Sequence, residues 1–184
     1  MTDLADRVWR TMLVVRCQTG DTAAFKELMD LYERPVHYFL TKMMDNPQAA
    51  DDLSQEVWFE VFRGIGRLTD PGAFKAWLYQ MARHRALRAL RLRVPAPVSP
   101  RELEVAVDDG EESFSVEETE RIHAALDELP HDQREVLLLR YIEDMTYEEI
   151  ARVTHCQLGT VRSRLHYAKR ALRRLLERTT INER

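Results

Sequence analysis

Several residue types are scarce in this chain of 184 residues, and each scarcity narrows what the protein can be. Its two cysteines, Cys17 and Cys156, lie far apart and form no metal-ligand motif, so a disulfide framework is not expected. Glycine (6) and proline (7) are few, and alternating runs rich in valine and threonine are rare. This composition predicts an all-α protein.

Membrane and secretion signals are also missing. No apolar run approaches the roughly 20 residues that span a bilayer. The N-terminal segment MTDLADRVWR carries acids and lacks the basic-then-apolar pattern of a signal peptide. We therefore expect a cytoplasmic protein without membrane insertion.

Residue sets for catalysis or cofactor binding are lacking as well. The sequence has no Ser/His/Asp set, no glycine-rich phosphate loop and no clustered carboxylate pair. His155, Cys156 and His166 fit no standard metal-binding spacing. We expect neither an enzyme nor a bound metal or cofactor.

Charge is distributed unevenly along the chain. The net charge of −4 looks unsuited to DNA binding, but nine acids and no base lie between Glu102 and Glu120. Eight bases and one acid lie between Ala151 and Arg178, and a second basic run covers 83–93. Two basic surfaces separated by an acidic segment predict DNA contact at two places.

The acidic segment also marks a domain boundary. The preceding VPAPVSP (94–100) cannot continue a helix, because its prolines lack the N–H and clash with the preceding turn. We predict a partly disordered linker at 94–117, which joins two small helical domains at 1–93 and 118–184.

Start and stop signals place the helices of the first domain. Asp21 or Thr22 can cap a helix that Pro35 should kink or break. The pairs Asn46-Pro47 and Asp70-Pro71 each combine a capping side chain with proline at the first helical position. The first of these helices should end near Gly64 as a C-terminal cap.

The second domain has similar signals. A helix at 116–129 should stop at Pro130, and Asp132 can cap the next one. Thr146 and Glu149 form a T-x-x-E capping box for a third helix.

The last helix is amphipathic. At about 100° per residue, the apolar side chains cluster around Val161 and bases occupy much of the opposite face. The core stripe comprises Val161, Leu165, Ala168, Leu172, Leu175 and Leu176. A short helix, a turn and a basic helix form a helix-turn-helix that fits the major groove. A solvated basic face or a protein-docking helix would have a similar pattern.

Long motifs in both domains resemble a known family. ALDELPHDQREVLLLRYIEDMTYEEIARV and GTVRSRLHYAKRALRRLL resemble region 4 of bacterial sigma factors, closest to the small extracytoplasmic-function (ECF) group of the sigma-70 family. VVRCQTGDTAAFKELMDLY, AADDLSQEVWFEVFRGI and FKAWLYQMARHRALRALR resemble region 2 of that group, in order and spacing.

The resemblance implies an alternative sigma factor, which directs RNA polymerase core to promoters. Region 2 would bind the polymerase clamp helices and open the −10 element, and region 4 would read the −35 element and touch the flap. It also implies an anti-sigma partner. Two rivals stay open: a stand-alone helix-turn-helix regulator, and a sigma-like decoy that binds only an anti-sigma factor.

The matching positions give candidate site residues. The −35 set is Leu158, Gly159, Thr160, Arg162, Ser163, Arg164, His166, Arg170 and Arg173. The −10 set is Arg67, Lys75, Arg83, His84, Arg88 and Arg91, beside a base-capturing loop at 64–70. The polymerase-binding set is Asp51, Asp52, Gln55, Glu56 and Phe59. From spacing alone the carboxylates could be an ordinary solvated face. Trp58, Phe59 and Phe62 could form a partner-facing patch, although the domain core is the favoured place for them.

The chain departs from the family pattern at five positions, one of which is Thr154, where the family often has leucine before the glycine of the turn. His84 and Arg88 replace a usual Asn and a frequent Asp. In the helix-turn-helix turn, His155 stands where glycine is frequent, and glycine takes a left-handed conformation at lower cost. Gln157 replaces the usual serine cap. These changes concern the turn geometry and the −35 preference.

Overall fold

The computed structural model describes residues 2–44, 46–91 and 116–182 of the chain. These residues form eight α-helices and no strand, which confirms the all-α prediction for the part of the chain described. They fall into two compact units, one formed by the first four helices and the other by the last four. The predicted linker lies outside the described residues except for its last two positions, so its boundaries and disorder stay predictions.

The first unit is a bundle of four helices, α1 (Thr2–Gln18), α2 (Thr22–Met43), α3 (Pro47–Gly64) and α4 (Phe74–Arg91). Its core is closely packed around α4. The Tyr79 ring is fully buried and meets Phe39 of α2 edge to face, with the ring centroids 5.3 Å apart. Leu28, Val57 and Leu78 complete this core from three helices.

Two predicted N-terminal caps of this unit are present. The Asp21 carboxylate accepts from the Ala24 N–H at 3.0 Å, and the Asn46 side chain accepts from the Gln48 N–H at 3.0 Å. The break predicted as one outcome for Pro35 does not occur, because α2 runs through this residue, and the kink stays a prediction. Tyr32 and Val36 are buried on either side of Pro35, and this packing holds the helix together despite the lost hydrogen bond.

Gly64 plays a different part from the one predicted. Its backbone is right-handed (φ −103°), and the chain continues into a 3₁₀ turn at Ile65–Arg67. A Cβ atom here would lie 3.1 Å from Cζ2 of Trp77 on α4. Glycine therefore lets Trp77 approach closely, and it does not serve as a left-handed cap.

The second unit contains α5 (Val116–Asp127), α6 (His131–Leu137), α7 (Tyr147–Thr154) and α8 (Leu158–Asn182). A widened π-helical turn, Leu138–Ile142, extends α6. The core comes from buried apolar side chains such as Leu126, Leu139, Ile150, Val161 and Leu165.

The start of α6 differs from the prediction. The helix begins at His131, its cap position is Pro130, and Asp132 lies in the first turn without capping it. The buried Arg134 donates from Nη2 to the carbonyls of Asp127 (2.7 Å) and Leu129 (3.0 Å). This guanidinium satisfies carbonyls at the end of α5 and joins the two helices.

Candidate nucleic-acid and protein-binding surfaces

The helix-turn-helix begins with the predicted capping box. Thr146 Oγ1 accepts from the Glu149 N–H at 3.2 Å, and Glu149 Oε2 accepts from the Thr146 N–H at 2.8 Å. Ile150 and Val153 are fully buried, so α7 is fixed against the core below the turn. The two reciprocal hydrogen bonds set where α7 starts.

The residue that ends α7, His155, adopts the left-handed conformation. His155 has φ 54° and ψ 37°, and its N–H donates to the Ala151 carbonyl. The Cys156 N–H donates to the same carbonyl at 3.2 Å, which closes the end of the helix. The chain thus keeps the turn geometry with histidine, at the cost of a strained backbone.

The two faces of α8 are as predicted near its N-terminus. Val161, Leu165 and Ala168 are buried, and the later Leu172, Leu175 and Leu176 are half-buried. Gly159, Arg162, Arg170 and Arg173 are exposed on the opposite face, and Leu158, Thr160, Ser163 and His166 are half-buried. This arrangement presents guanidinium groups along one side of a helix whose other side is anchored.

Arg164 lies apart from the other predicted −35 residues. Its Nη1 donates to Cys156 Sγ at 3.1 Å, and its Nε lies 3.9 Å from Asp132 Oδ2. Only 16% of its side chain is exposed. Arg164 braces α8 against the turn and α6, a role indicated by its position about 60° from Val161 on the helix.

The predicted polymerase-binding residues share one exposed face of α3. Asp51, Asp52, Gln55, Glu56 and Phe59 are all exposed, while Leu53, Val57 and Val61 are buried beneath them. The structure therefore brings all five predicted side chains together.

Two aromatic residues of α3 are more exposed than expected. Phe59 and Phe62 are 60% and 59% exposed, so the interpretation of both as core was wrong, whereas Trp58 is buried as expected. The Arg63 guanidinium lies 5.0 Å from the centre of the Phe59 ring. Large apolar side chains beside acids are typical of a protein-docking surface.

Hydrogen bonds connect two of these carboxylates to neighbouring helices. His37 Nε2 lies 2.5 Å from Asp51 Oδ1. Arg85 of α4 donates to Glu56 at 2.7 Å and to both oxygens of Glu60. The hydrogen bonds that Arg85 donates to Glu60, followed by the attraction of both carboxylates, raise the pKa of the Arg85 guanidinium, which stays charged.

The loop at 64–70 is held by a residue that the sequence did not single out. Gln18 of α1 donates from Nε2 to the carbonyls of Ile65 (3.1 Å) and Leu68 (2.7 Å). Asp70 accepts from the Gly72 N–H at 2.9 Å and ends the loop. An isolated glutamine at a helix end gives no sequence signal for such a long-range contact.

Beside this loop lies an open cleft of about 680 Å³. Its wall includes the cations Arg63, Arg67 and Arg85 together with Phe59, Trp77 and Met81. Arg63 and Arg85 were not predicted as site residues. Binding sites for single-stranded nucleic acid combine cationic side chains with aromatic rings.

The structure does not gather the whole predicted −10 set at this cleft. Arg67 lines the cleft. Arg88 follows Arg85 by about one helical turn and Met81 by about two, so it lies on the same side of α4 as these cleft residues. Lys75 and Arg83 are half-buried on other sides of α4, and His84 is exposed. Arg91 is the last residue of α4, and its side chain is outside the described part.

The described residues contain neither a metal-binding cluster nor a membrane-spanning helix. Within residues 2–44, 46–91 and 116–182, no group of three or more His, Cys, Asp or Glu side chains could hold a metal ion. None of the described helices combines the length and apolar character needed to cross a membrane.

Comparison with known proteins identifies the family to which this chain is similar. The family described as Sigma-70 region 2 matches residues 28–94, and the family described as Sigma-70, region 4 matches residues 119–172. Relatives include an RNA polymerase sigma-H factor of Pseudomonas aeruginosa, 32% identical over 90% of this chain and 92% of its own. An ECF RNA polymerase sigma-E factor of Haemophilus influenzae is 31% identical over 90% of this chain and 94% of its own.

Two solved structures share the fold. CnrH in complex with the cytosolic domain of CnrY has a TM-score of 0.68 at 20% identity and covers 91% of this chain and 97% of its own. The sigma factor RpoE in complex with the anti-sigma factor NepR, from Bartonella quintana, has a TM-score of 0.66 at 23% identity and covers 83% of this chain and 96% of its own. With both domains matched and relatives aligned over most of their length, the chain belongs to the ECF group of the sigma-70 family.

Proposed function

We propose that this chain acts as an alternative sigma factor in the cytoplasm, without catalysis or a cofactor of its own. It binds RNA polymerase core and directs it to a set of promoters. The observation that carries the proposal is the pairing of two surfaces in one chain. An acidic and aromatic face lies on α3, and a basic face lies on α8 of a helix-turn-helix.

The α3 face is proposed to bind the clamp helices of the polymerase. Asp51, Asp52 and Glu56 give it negative charge, and Phe59 and Phe62 give it an apolar anchor. Aromatic anchors within a polar rim carry much of the free energy in protein interfaces. The second unit is proposed to contact the flap.

The exposed face of α8 is proposed to read the −35 element. Arg162 and its neighbours at the start of the helix lie nearest the bases, because recognition helices enter the major groove by their N-terminal turns. Arg170 and Arg173 lie two and three turns farther along and are proposed to contact phosphates. Arg164 takes no part in our proposal, because it points into its own domain.

The −10 contact is proposed at the cleft beside the 64–70 loop. Extruding a base from the duplex costs a few kcal/mol, so a pocket must offer stacking and charge in return. Arg67 and Trp77 supply both in the cleft, and Arg88 extends the charge along α4.

An anti-sigma factor is proposed as a second protein partner. The exposed Phe59 and Phe62 form an apolar patch that a partner would cover in the inactive state. An inhibitor on this patch would compete directly with polymerase. This proposal is supported by the two solved structures, in which CnrH is in complex with the cytosolic domain of CnrY and RpoE with the anti-sigma factor NepR.

A binding experiment with purified core polymerase tests the function. Phe59→Ala should weaken core binding by more than tenfold, about 1.4 kcal/mol or more, because an anchor residue is lost. Asp52→Lys should also weaken it, by placing a cation on the α3 face. Glu33→Lys, a matched change at an exposed acid of α2, should leave it unchanged.

The same experiment distinguishes a sigma factor from a stand-alone regulator, and binding to duplex DNA distinguishes it from a decoy. A stand-alone helix-turn-helix regulator would not bind core polymerase. A decoy would not bind DNA. Failure of the wild-type chain to bind core polymerase would contradict the proposal, and equal loss in the Asp52 and Glu33 variants would contradict the α3 assignment.

A further inference from the structure

A network of charged side chains lies where the α3 face meets the cleft. Arg85 donates from Nη1 to Glu56 Oε2 at 2.7 Å and from Nε to Glu60 Oε2 at 3.1 Å, and its Nη2 donates to Glu60 Oε1. Glu56 belongs to the proposed polymerase-binding face, whereas Glu60 and Arg85 line the cleft. One guanidinium therefore connects both surfaces.

The two pairings differ in strength. Glu60 receives two parallel N–H groups, which is the stable fork geometry of an arginine–carboxylate pair. Glu56 receives one, and its side chain is 52% exposed. A single pair with an exposed carboxylate is weak, so another cation can replace Arg85 at Glu56 while Glu60 retains it.

The network sets the charge at the edge of the cleft. One guanidinium and two carboxylates leave a net charge of −1 when all three are ionised. A cation from a partner that pairs with Glu56 would neutralise this charge. Arg85, still positioned by Glu60, would then face DNA phosphates without the repulsion from Glu56.

We infer that Arg85, Glu56 and Glu60 form an electrostatic gate that couples the two surfaces. In the free protein, Glu56 lowers the affinity of the cleft for single-stranded DNA. When a cation of the polymerase pairs with Glu56, that penalty disappears. The inference rests on the proposed function, and linkage requires that bound DNA strengthen polymerase binding by the same factor.

The size of the effect follows from counterion release. Each phosphate that a protein neutralises on a single strand adds about 0.7 to the slope of log affinity against log salt. Release of Arg85 Nη1 from Glu56 leaves this guanidinium nitrogen able to make about one such contact. At roughly 0.15 M salt this corresponds to about fourfold tighter binding, and the gain shrinks as salt rises.

The test measures binding of a short fluorescent oligothymidylate to the full chain, without polymerase, over a salt series. Glu56→Gln should bind about fourfold more tightly than wild type, with a slope steeper by about 0.7. Asp52→Asn is the matched control, since it removes the same charge one helical turn away on the same face. Its affinity should match wild type. In an Arg85→Gln background, the gain from Glu56→Gln should vanish.

Equal gains in Glu56→Gln and Asp52→Asn would overturn the gate, because a general charge effect would then suffice. No gain in Glu56→Gln would also overturn it. Core-polymerase binding, measured on the same samples, separates the two levels. If the wild-type chain binds polymerase but Glu56→Gln leaves the DNA affinity unchanged, only the gate is refuted. If the wild-type chain does not bind polymerase, the proposed function is refuted.

Discussion

Replacing His155 with glycine should stabilise the second unit, because His155 holds the left-handed conformation that ends α7. For a residue with a Cβ this conformation costs about 1–2 kcal/mol. Glycine avoids that cost but loses more backbone freedom on folding, by roughly 0.5–1 kcal/mol. The difference predicts a net gain of about 0.5–1 kcal/mol. For a domain of this size that raises the melting temperature by roughly 2–8 °C.

Calorimetry of the full chain measures the effect, and tryptophan fluorescence supplies an internal control. Trp9, Trp58 and Trp77 all lie in the first unit, so fluorescence follows that unit alone. The His155→Gly change should shift a calorimetric transition and leave the fluorescence transition in place. Arg152→Gly, within α7, should destabilise by about 1 kcal/mol. A lower melting temperature for His155→Gly would refute the strain argument.

Three further changes test other parts of the structure. Arg173→Glu should weaken binding to duplex DNA by about fivefold or more at roughly 0.15 M salt, since a phosphate contact is lost. The control is Arg178→Glu, at an exposed position farther along α8. Equal losses of affinity in the two variants would count against the assigned DNA-binding face. The Ala24 N–H and then Arg16 lower the pKa of Asp21, so its stabilising effect is present above about pH 4 and is lost as pH falls through its folded pKa. Thermal melts of Asp21→Asn, which keeps a capping oxygen, should therefore depend less on pH in that acidic range, and an unchanged dependence would contradict the ion pair. Gly64→Ala should displace Trp77, because the new Cβ would lie 3.1 Å from Cζ2 of its ring. A change in tryptophan emission would report this displacement. Unaltered emission would show that the cleft wall tolerates a Cβ atom at this position.

Local signals in the sequence identified much of the fold. The caps at Asp21, Asn46 and Thr146 depend on side chains a few residues apart, so their spacing is visible in the chain. The left-handed turn at His155 was also foreseeable, from the position where glycine is frequent. The core side of α8 followed from its helical period.

Features that depend on packing between helices could not be read in this way. Pro35 stays within α2 because buried neighbours hold it, and Gly64 lets Trp77 approach closely from another helix. Phe59 and Phe62 looked like core because spacing gives no information about which helix covers which face. Arg85 appeared as one base in a basic run, and only the fold places it against Glu56 and Glu60.

The central claim is that this chain gives RNA polymerase its promoter specificity. In vitro transcription tests it most directly, with core polymerase, the purified chain and a library of genomic fragments, followed by mapping of start sites. The account predicts transcripts that need the chain and that start downstream of a shared pair of elements. It also predicts that Arg162→Glu and Phe59→Ala abolish these transcripts while Arg178→Glu preserves them. Transcription that is the same with and without the chain would contradict the account.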